Sequence, residues 1–510
     1  MKISRINHLW GLVATVSSAM AVDSLHADTT LTIYSRATPG AVSPDLYRPG
    51  VRNGSYFGQS VPGYAIVRDD RKLSLTRGRG LVSITDVAAL LDPTTVRLTS
   101  LTDPDGTQVV EQDFRFDLVG SQKLMQRYID QQITVEQRVG DGIREVSGTL
   151  LSTDGGLVLQ SDDGGVAILS DWQNIRFGAL PGGLMTRPTL IWDINSLRGG
   201  EQETRISYET QGMTWWADYN LTWTPDRNAQ TGSLDVAAWV SILNQTGTSF
   251  DDTGLKLVAG DVQRAPAGLS RAREREAMRA VSADLSVVQG FDEKAFFEFH
   301  LYTLGRTTDL PDQSTKQMAL FPAVTSVPAT KRLVYNALNF GAGLGYGITD
   351  PNFGNTGNSK VDVYIEFDNR KQDGLGVPLP AGRIRVSQLD EADGSLEFVG
   401  EDVIAHTPRN ETVRIRLGSA FDVVGSRKQT NYNLDTRARV LTETVEITLT
   451  NRKDKSQTVT VAEPLYRYAN WAISNATDGF EKIDSRLVHF EVDVPADSKK
   501  VVRYDIRYTW

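Results

Sequence analysis

Between Leu375 and Phe421 apolar and polar residues alternate with period two, and this alternation limits the fold more than any other feature of the chain. Ile384 and Val386 alternate with Arg383, Arg385 and Ser387, and Val413, Ile415 and Leu417 with Thr412, Arg414 and Arg416. Successive side chains of a strand point to opposite faces, so the pattern describes antiparallel sheets with one dry and one wet face. The same rhythm closes the chain at Val502, Tyr504, Ile506, Tyr508 and Trp510. The expected class is mainly β.

A chain of 510 residues exceeds what one core organises. The reading is a signal peptide over 1–27, an amino-terminal β domain over 28–120 and a small SH3-like barrel over 121–183. A β-rich domain over 184–330 with a charged excursion at 262–290 follows, and then a carboxy-terminal β-sandwich over 331–510. The small unit is read from four short segments joined at Asp141-Gly142, Asp154-Gly155-Gly156 and Asp163-Gly164-Gly165, where Gly accepts positive φ at low cost. A further rhythm, strand then Asn then polar turn, recurs at Asn244, Asn369 and Asn451. It is taken as a rhythm of sandwich turns and no more.

Lys2 and Arg5 followed by the apolar Leu9–Val16 read as a secretory signal, with cleavage after Ala21 or Ala27. Cysteine is absent, which excludes disulfides, thiol catalysis and Cys-ligated zinc. The two together predict a bacterial periplasmic or secreted protein. A net charge of −9 argues against nucleic acid as a partner. No later segment has the apolar length of a membrane helix, so no integral span is expected once the signal is removed.

Several segments then carry a family likeness: WWADYNL at Trp215–Leu221, LGVPLPAG at Leu375–Gly382, FVGED at Phe398–Asp402, HTP at His406–Pro408 and LGSAFDV at Leu417–Val423. In this order, over roughly 190–510, they resemble the bacterial domain of unknown function 4139, the carboxy-terminal domain of mucoidy-inhibitor-like proteins. The resemblance implies an exported β-rich envelope protein, in some cases linked by name to exopolysaccharide, with no established catalytic residues. Those proteins are similar to a β domain, a long coiled coil and this domain in turn. Here no heptad run is present, and the small unit stands in that place.

The chemistry is sparse. There is no G-x-S-x-G elbow and no H-E-x-x-H, and the Asp-rich turns lack the distal Glu of a calcium loop. No catalytic residue, metal ligand or cofactor is assigned. His300 and His489 fall within strands, and His406 stands at a strand end, where functional groups often sit. Trp215, Ala217, Tyr219, Leu221 and Trp223 share one face and read as core. Trp216 projects with Asp218 and Asn220 onto the face expected to be wet, where an indole is suited to stack on a sugar or touch a partner. Trp216 and His406 are therefore the candidate contacts to a partner or glycan. The expectation is a non-catalytic binding or structural protein acting on an envelope protein or polysaccharide. The alternatives are a carbohydrate-active hydrolase using paired carboxylates and an outer-membrane β-barrel.

Overall fold

The computed structural model describes residues 28–35, 42–47, 61–116, 120–139, 142–178, 186–227, 230–260, 262–263, 291–338, 347–390 and 392–510. The expected signal and most of the excursion 262–290 lie outside them. The described chain is antiparallel and mixed β-sheet built round three buried clusters.

The first cluster joins segments distant in sequence. Thr29–Ser35 pairs in parallel with Phe250–Ala259 and antiparallel with Gly63–Leu75, which in turn pairs with Gly200–Thr210. Leu31, Ile33, Ala65 and Val67 then pack in one core with Trp192, Trp215, Tyr219, Val236, Ile384 and Ile415. The stretches 28–120 and 184–330 thus share a core, which departs from the boundaries expected above. The first stretch buries its apolar face only by pairing with strands that come far later in the chain.

The small unit is Gln132–Val139, Gly142–Ser152, Leu157–Gln160 and Val166–Leu169, with a fifth strand, Asn174–Phe177, and a short helix, Ser121–Arg127. Its core is its own: Tyr128, Ile133, Val135, Leu150, Leu157, Leu159 and Leu169. The strand order is open, with Asn174–Phe177 at one edge and Val166–Leu169 at the other, so the expected SH3-like barrel is corrected to an open five-stranded sheet.

The largest sheet has thirteen strands and also does not close, which corrects the outer-membrane barrel alternative. Two of its strands are long, Ser314–Tyr335 and Thr412–Asp435. Each serves two cores. Met318, Leu320 and Val327 lie in the first cluster and Leu333 and Tyr335 in the carboxy-terminal one; Val413 and Ile415 lie in the first and Val423 in the second. The boundary expected at 330/331 therefore falls inside a continuous strand. Bulges interrupt both strands: the register with Thr231–Asn244 shifts around Val236 and Ala238 within the first core, and Gly418 (φ 143°) follows an extra residue opposite Val363/Tyr364, between the two cores.

The asparagine rhythm is a structural repeat. Asn244 ends a strand, its amide donates to the carbonyls of Thr248, Leu310 and Pro311 (3.0, 2.9 and 3.2 Å), and its Oδ1 accepts from the Thr246 N–H. Asn451 donates to Lys455, Val494 and Pro495 (2.9, 3.1 and 3.0 Å) and accepts from the Lys453 N–H. Asn369 donates to Val377 and Pro408 (2.7 and 3.0 Å) and accepts from the Gly376 N–H. In each case the chain returns through a proline and then a residue with positive φ two positions on, at Gln313, Asn410 and Asp497. The return strand pairs beside the latch, at Asn244↔Ser314, Asp368↔Thr412 and Asn451↔Ser498. Three copies of one unit thus follow each other along the sheet.

All three asparagines are buried, so truncation takes a donor from each interior carbonyl they hold, although those of Thr248 and Val494 also accept from the hydroxyls of Thr246 and Ser456. Asn244→Ala, Asn369→Ala and Asn451→Ala should each cost about 2–3 kcal/mol in urea unfolding. Asn451→Asp should cost more than Asn451→Ala, because it sets a carboxylate against three carbonyl oxygens. Equal midpoints for wild type and variants would refute the latch role.

Candidate functional site

The segments that carry the family likeness meet in space, and most of them hold the backbone. In Leu375–Gly382 the carbonyl of Val377 accepts from Asn369, that of Pro378 from Tyr302 Oη (3.0 Å) and that of Pro380 from Tyr219 Oη (2.7 Å). Leu379 and Thr407 exchange backbone hydrogen bonds at 2.9 Å in both directions. Phe398–Asp402 and Leu417–Val423 come together where the large sheet curls: Asp402 Oδ2 accepts the Arg416 N–H at 2.7 Å, and a Cβ on Gly400 would stand 2.5 Å from the Leu417 carbonyl. Any side chain at 400 would push these strands apart.

His406 is exposed at the end of Leu396–Ile404, and its Nδ1 accepts the Ala381 N–H at 3.0 Å. An accepting Nδ1 carries no proton, so the neutral ring holds its hydrogen on Nε2. His406 braces the 375–382 turn. His300 contacts Glu293 at 2.6 Å, and His489 is half-buried between strands, its pKa lowered by burial.

Trp216 lies on the face read as wet, within a definable surface. The strand Met213–Pro225 pairs with Thr231–Asn244 on one side and Gly382–Leu389 on the other. Residues directly opposite share a face, so the registers set out rows. One row crosses Val403, Arg383, Asp218, Trp239 and Ala319; the next, towards Met213, holds Trp216, Ser241 and Gln317; the row on the other side holds Glu401, Arg385, Asn220 and Ala237. Trp216 is half-buried, with the Tyr47 ring 5.3 Å away between centroids. Tyr47 ends a short turn of helix tied down by Gln245 Nε2, which donates to the Leu46 carbonyl at 2.7 Å. Trp239 is 39% exposed.

Between the two indoles sits a polar network. Asp218 is buried; Ser241 Oγ donates to its Oδ2 at 3.3 Å, and Arg385 lies 3.4 Å from its Oδ1. Gln317 Nε2 donates to Ser241 Oγ at 3.0 Å, and Arg385 also faces Glu401 at 3.6 Å. Trp239 was missed in the sequence, although the alternation of Leu234, Val236, Ala238, Val240 and Ile242 already turns it outward with Asp235 and Ser241. His406 belongs to the neighbouring turn, against the Ala381 N–H. Among the described residues no group of three His, Asp or Glu is arranged to hold a metal ion.

A second charged region is a cleft of about 440 Å³ lined by Asp28, Asp69, Asp70, Arg71, Lys72 and Glu203. Its charges are largely paired within the protein: Arg205 grips Asp70 with two hydrogen bonds (2.7 and 2.8 Å), and Arg71 binds Asp69 and Asp86. The Arg205 hydrogen bond holds Asp70 down at about 2, while burial pushes Asp69 up.

Comparison with protein-family models, with curated proteins and with solved structures finds no match. The likeness to the domain of unknown function 4139 therefore rests on the motifs alone. What the fold and this surface define is a mainly β protein of three cores with a polar-aromatic patch on the open face of its largest sheet.

The pairing of Asp70 gives a pH signature. A carboxylate with a depressed folded pKa contributes stability above its ordinary range and loses it as pH falls towards the folded value. The melting temperature should drop between about pH 4 and pH 2, and Asp70→Asn should be less stable at neutral pH with a shallower acid limb. Parallel acid limbs for variant and wild type would exclude this contribution.

Proposed function

We propose that the protein is an exported bacterial envelope protein that works by binding, through the outer face of Met213–Pro225 and its two neighbours. The observation that carries this reading is Trp216 and Trp239 standing on one wet sheet face about a buried Asp218. The amino-terminal Lys2, Arg5 and Leu9–Val16, the lack of cysteine and the motif likeness support export to the periplasm or beyond. The motif likeness is also what favours envelope or surface-polysaccharide upkeep as the setting.

Binding is favoured over hydrolysis by the position of Arg385. A glycosidase needs two carboxyl groups facing a shared space, one of them protonated, with the scissile bond between. Asp218 and Glu401, on the rows of Trp239 and Asn220, both face Arg385 instead, and its guanidinium lies between them. A guanidinium in that space stands where the scissile bond would have to lie.

A photo-crosslinking residue at exposed Asn220, which leaves both tryptophans in place, tests the reading in living cells. Envelope material should be captured from position 220 and not from Asp163 on the small unit. Equal capture from both positions, or none from 220, would refute a binding role for this face.

A further inference from the structure

Resting on that binding role, we propose that the face is a platform for an uncharged polysaccharide, stacked on Trp216 and Trp239 and hydrogen-bonded by Asp218, Arg385 and Gln317. Trp216 pairs with Ser241 and Asp218 with Trp239, so the two indoles are diagonal neighbours across one antiparallel pair. Diagonal neighbours stand about 7–8 Å apart, close enough for adjoining sugar units of one chain to meet both rings. Trp239 has Ala237 two residues before it on its strand and Ala319 opposite it, and neither side chain is large enough to cover the indole. The ring is 39% exposed on a central strand, where burial would be the ordinary fate of a tryptophan.

The polar groups between the rings match a polyol. The contacts of Asp218 to Ser241 and Arg385, at 3.3 and 3.4 Å, are at the long end of hydrogen bonding, so its carboxylate retains capacity to accept hydroxyl donors. Arg385 and Gln317 supply N–H donors on either side. Apolar ring faces flanked by donors and acceptors suit a ligand with C–H faces and a hydroxyl rim.

Charge narrows the class. Arg383 and Arg385 balance Asp218 and Glu401 across the rows, and exposed Asp235 adds a negative charge beside them, so the face has no positive excess to draw an acidic polymer or a phosphate headgroup. A protein partner is less well matched. Between the indoles lie Asp218 and Ser241, and beside them Gln317 and two alanines, rather than the apolar centre that protein interfaces build. Strands also present the groups in a fixed row, which fits a linear chain.

The test titrates the full chain with neutral hexasaccharides of glucose (α- and β-linked), mannose and N-acetylglucosamine, with a hexagalacturonate as the acidic contrast. Binding is read by tryptophan fluorescence and calorimetry. At least one neutral sugar should bind and the acidic one should not. Trp239→Ala should weaken binding by about tenfold or more, Trp239→Tyr by less, and Trp172→Ala, an exposed tryptophan of the small unit, should leave it unchanged. Trp239 is exposed, so its variants should fold, and their melting temperatures confirm this. Silence from every neutral sugar, or binding indifferent to Trp239, overturns the proposal. If position 220 meanwhile captures a protein, the binding role stands and the sugar class falls; if it captures nothing, both fall.

Discussion

Three buried carboxamides set the geometry on which the rest of the structure depends. A strand that ends in the interior leaves carbonyls without ladder partners, and a buried carbonyl without a donor is costly. Asn244, Asn369 and Asn451 each spend their amide hydrogens on carbonyls of their own turn and of the chain returning through a proline. The departing and returning strands are thereby fixed side by side, whatever the chain does in between. That freedom explains why the excursions differ: one carries Phe250–Ala259 and the Phe291–Leu304 hairpin, one Gly382–Ile404, one Gln457–Val494. The corner is the conserved physical device among the three units and the excursion is the variable part.

The second constraint is the sharing of long strands between cores. Ser314–Tyr335 and Thr412–Asp435 cannot move in one core without moving in the other, so the sheet couples the regions mechanically. The carboxy-terminal core is further specified by two buried ion pairs. Arg467 donates to Glu443 (2.7 Å) and to the carbonyls of Ile348, Asp350 and Phe353; Arg427 donates to Glu463 (2.8 Å) and to the Gly354 carbonyl. Tyr432 and Tyr466 hold the carbonyls of Thr349 and Phe353 in the same loop. Burial alone would push Arg427 down, but the Glu463 charge more than offsets it and holds the guanidinium ionised. Such pairs add little net stability over an apolar core, because desolvation is costly. What they do here is bind loop 347–358 to one position, since moving it would take the carbonyls of Ile348, Asp350, Phe353 and Gly354 away from two buried guanidinium groups.

These interactions separate what the sequence made legible from what it hid. Local periodicity was legible: the strands of the small unit, the inward set Trp215, Tyr219 and Trp223, and the outward turn of Trp216 all follow from period two. The asparagine rhythm was visible too, but its meaning was not. The carbonyls of Leu310, Pro408 and Val494 that complete the latches lie far along the chain, and no local pattern pairs them. Domain limits failed for the same reason, because Leu31 packs through a parallel ladder with Leu255 and period says nothing about such pairing. Trp239 was overlooked because a tryptophan in an apolar run reads as core, even where the alternation turns it to solvent. His406, read from the sequence as a candidate contact, accepts a backbone N–H of the 375–382 turn, a pairing that no local pattern announces.

The surface follows from the same architecture. Trp216, Asp218 and Trp239 lie on inner strands of the sheet, whose backbones are held on both sides by ladders and whose opposite faces are packed with Trp215, Ala217, Tyr219, Ala238 and Val240. Groups so placed are already in position before any partner arrives, and little conformational entropy remains to be lost. A loop-borne site would adapt to many ligands; a row of side chains on a stiff sheet favours ligands of matching repeat. Asp218 is the informative member. Its burial costs solvation that its two long hydrogen bonds only partly return. A core aspartate retained for stability alone would be expected to sit in shorter, fuller pairing, as Glu443 does with Arg467. The contrast between these two buried acids, one saturated by its surroundings and one held with capacity to spare beside exposed Trp239, is the physical ground for proposing the open face of the sheet rather than its sealed core as the binding surface.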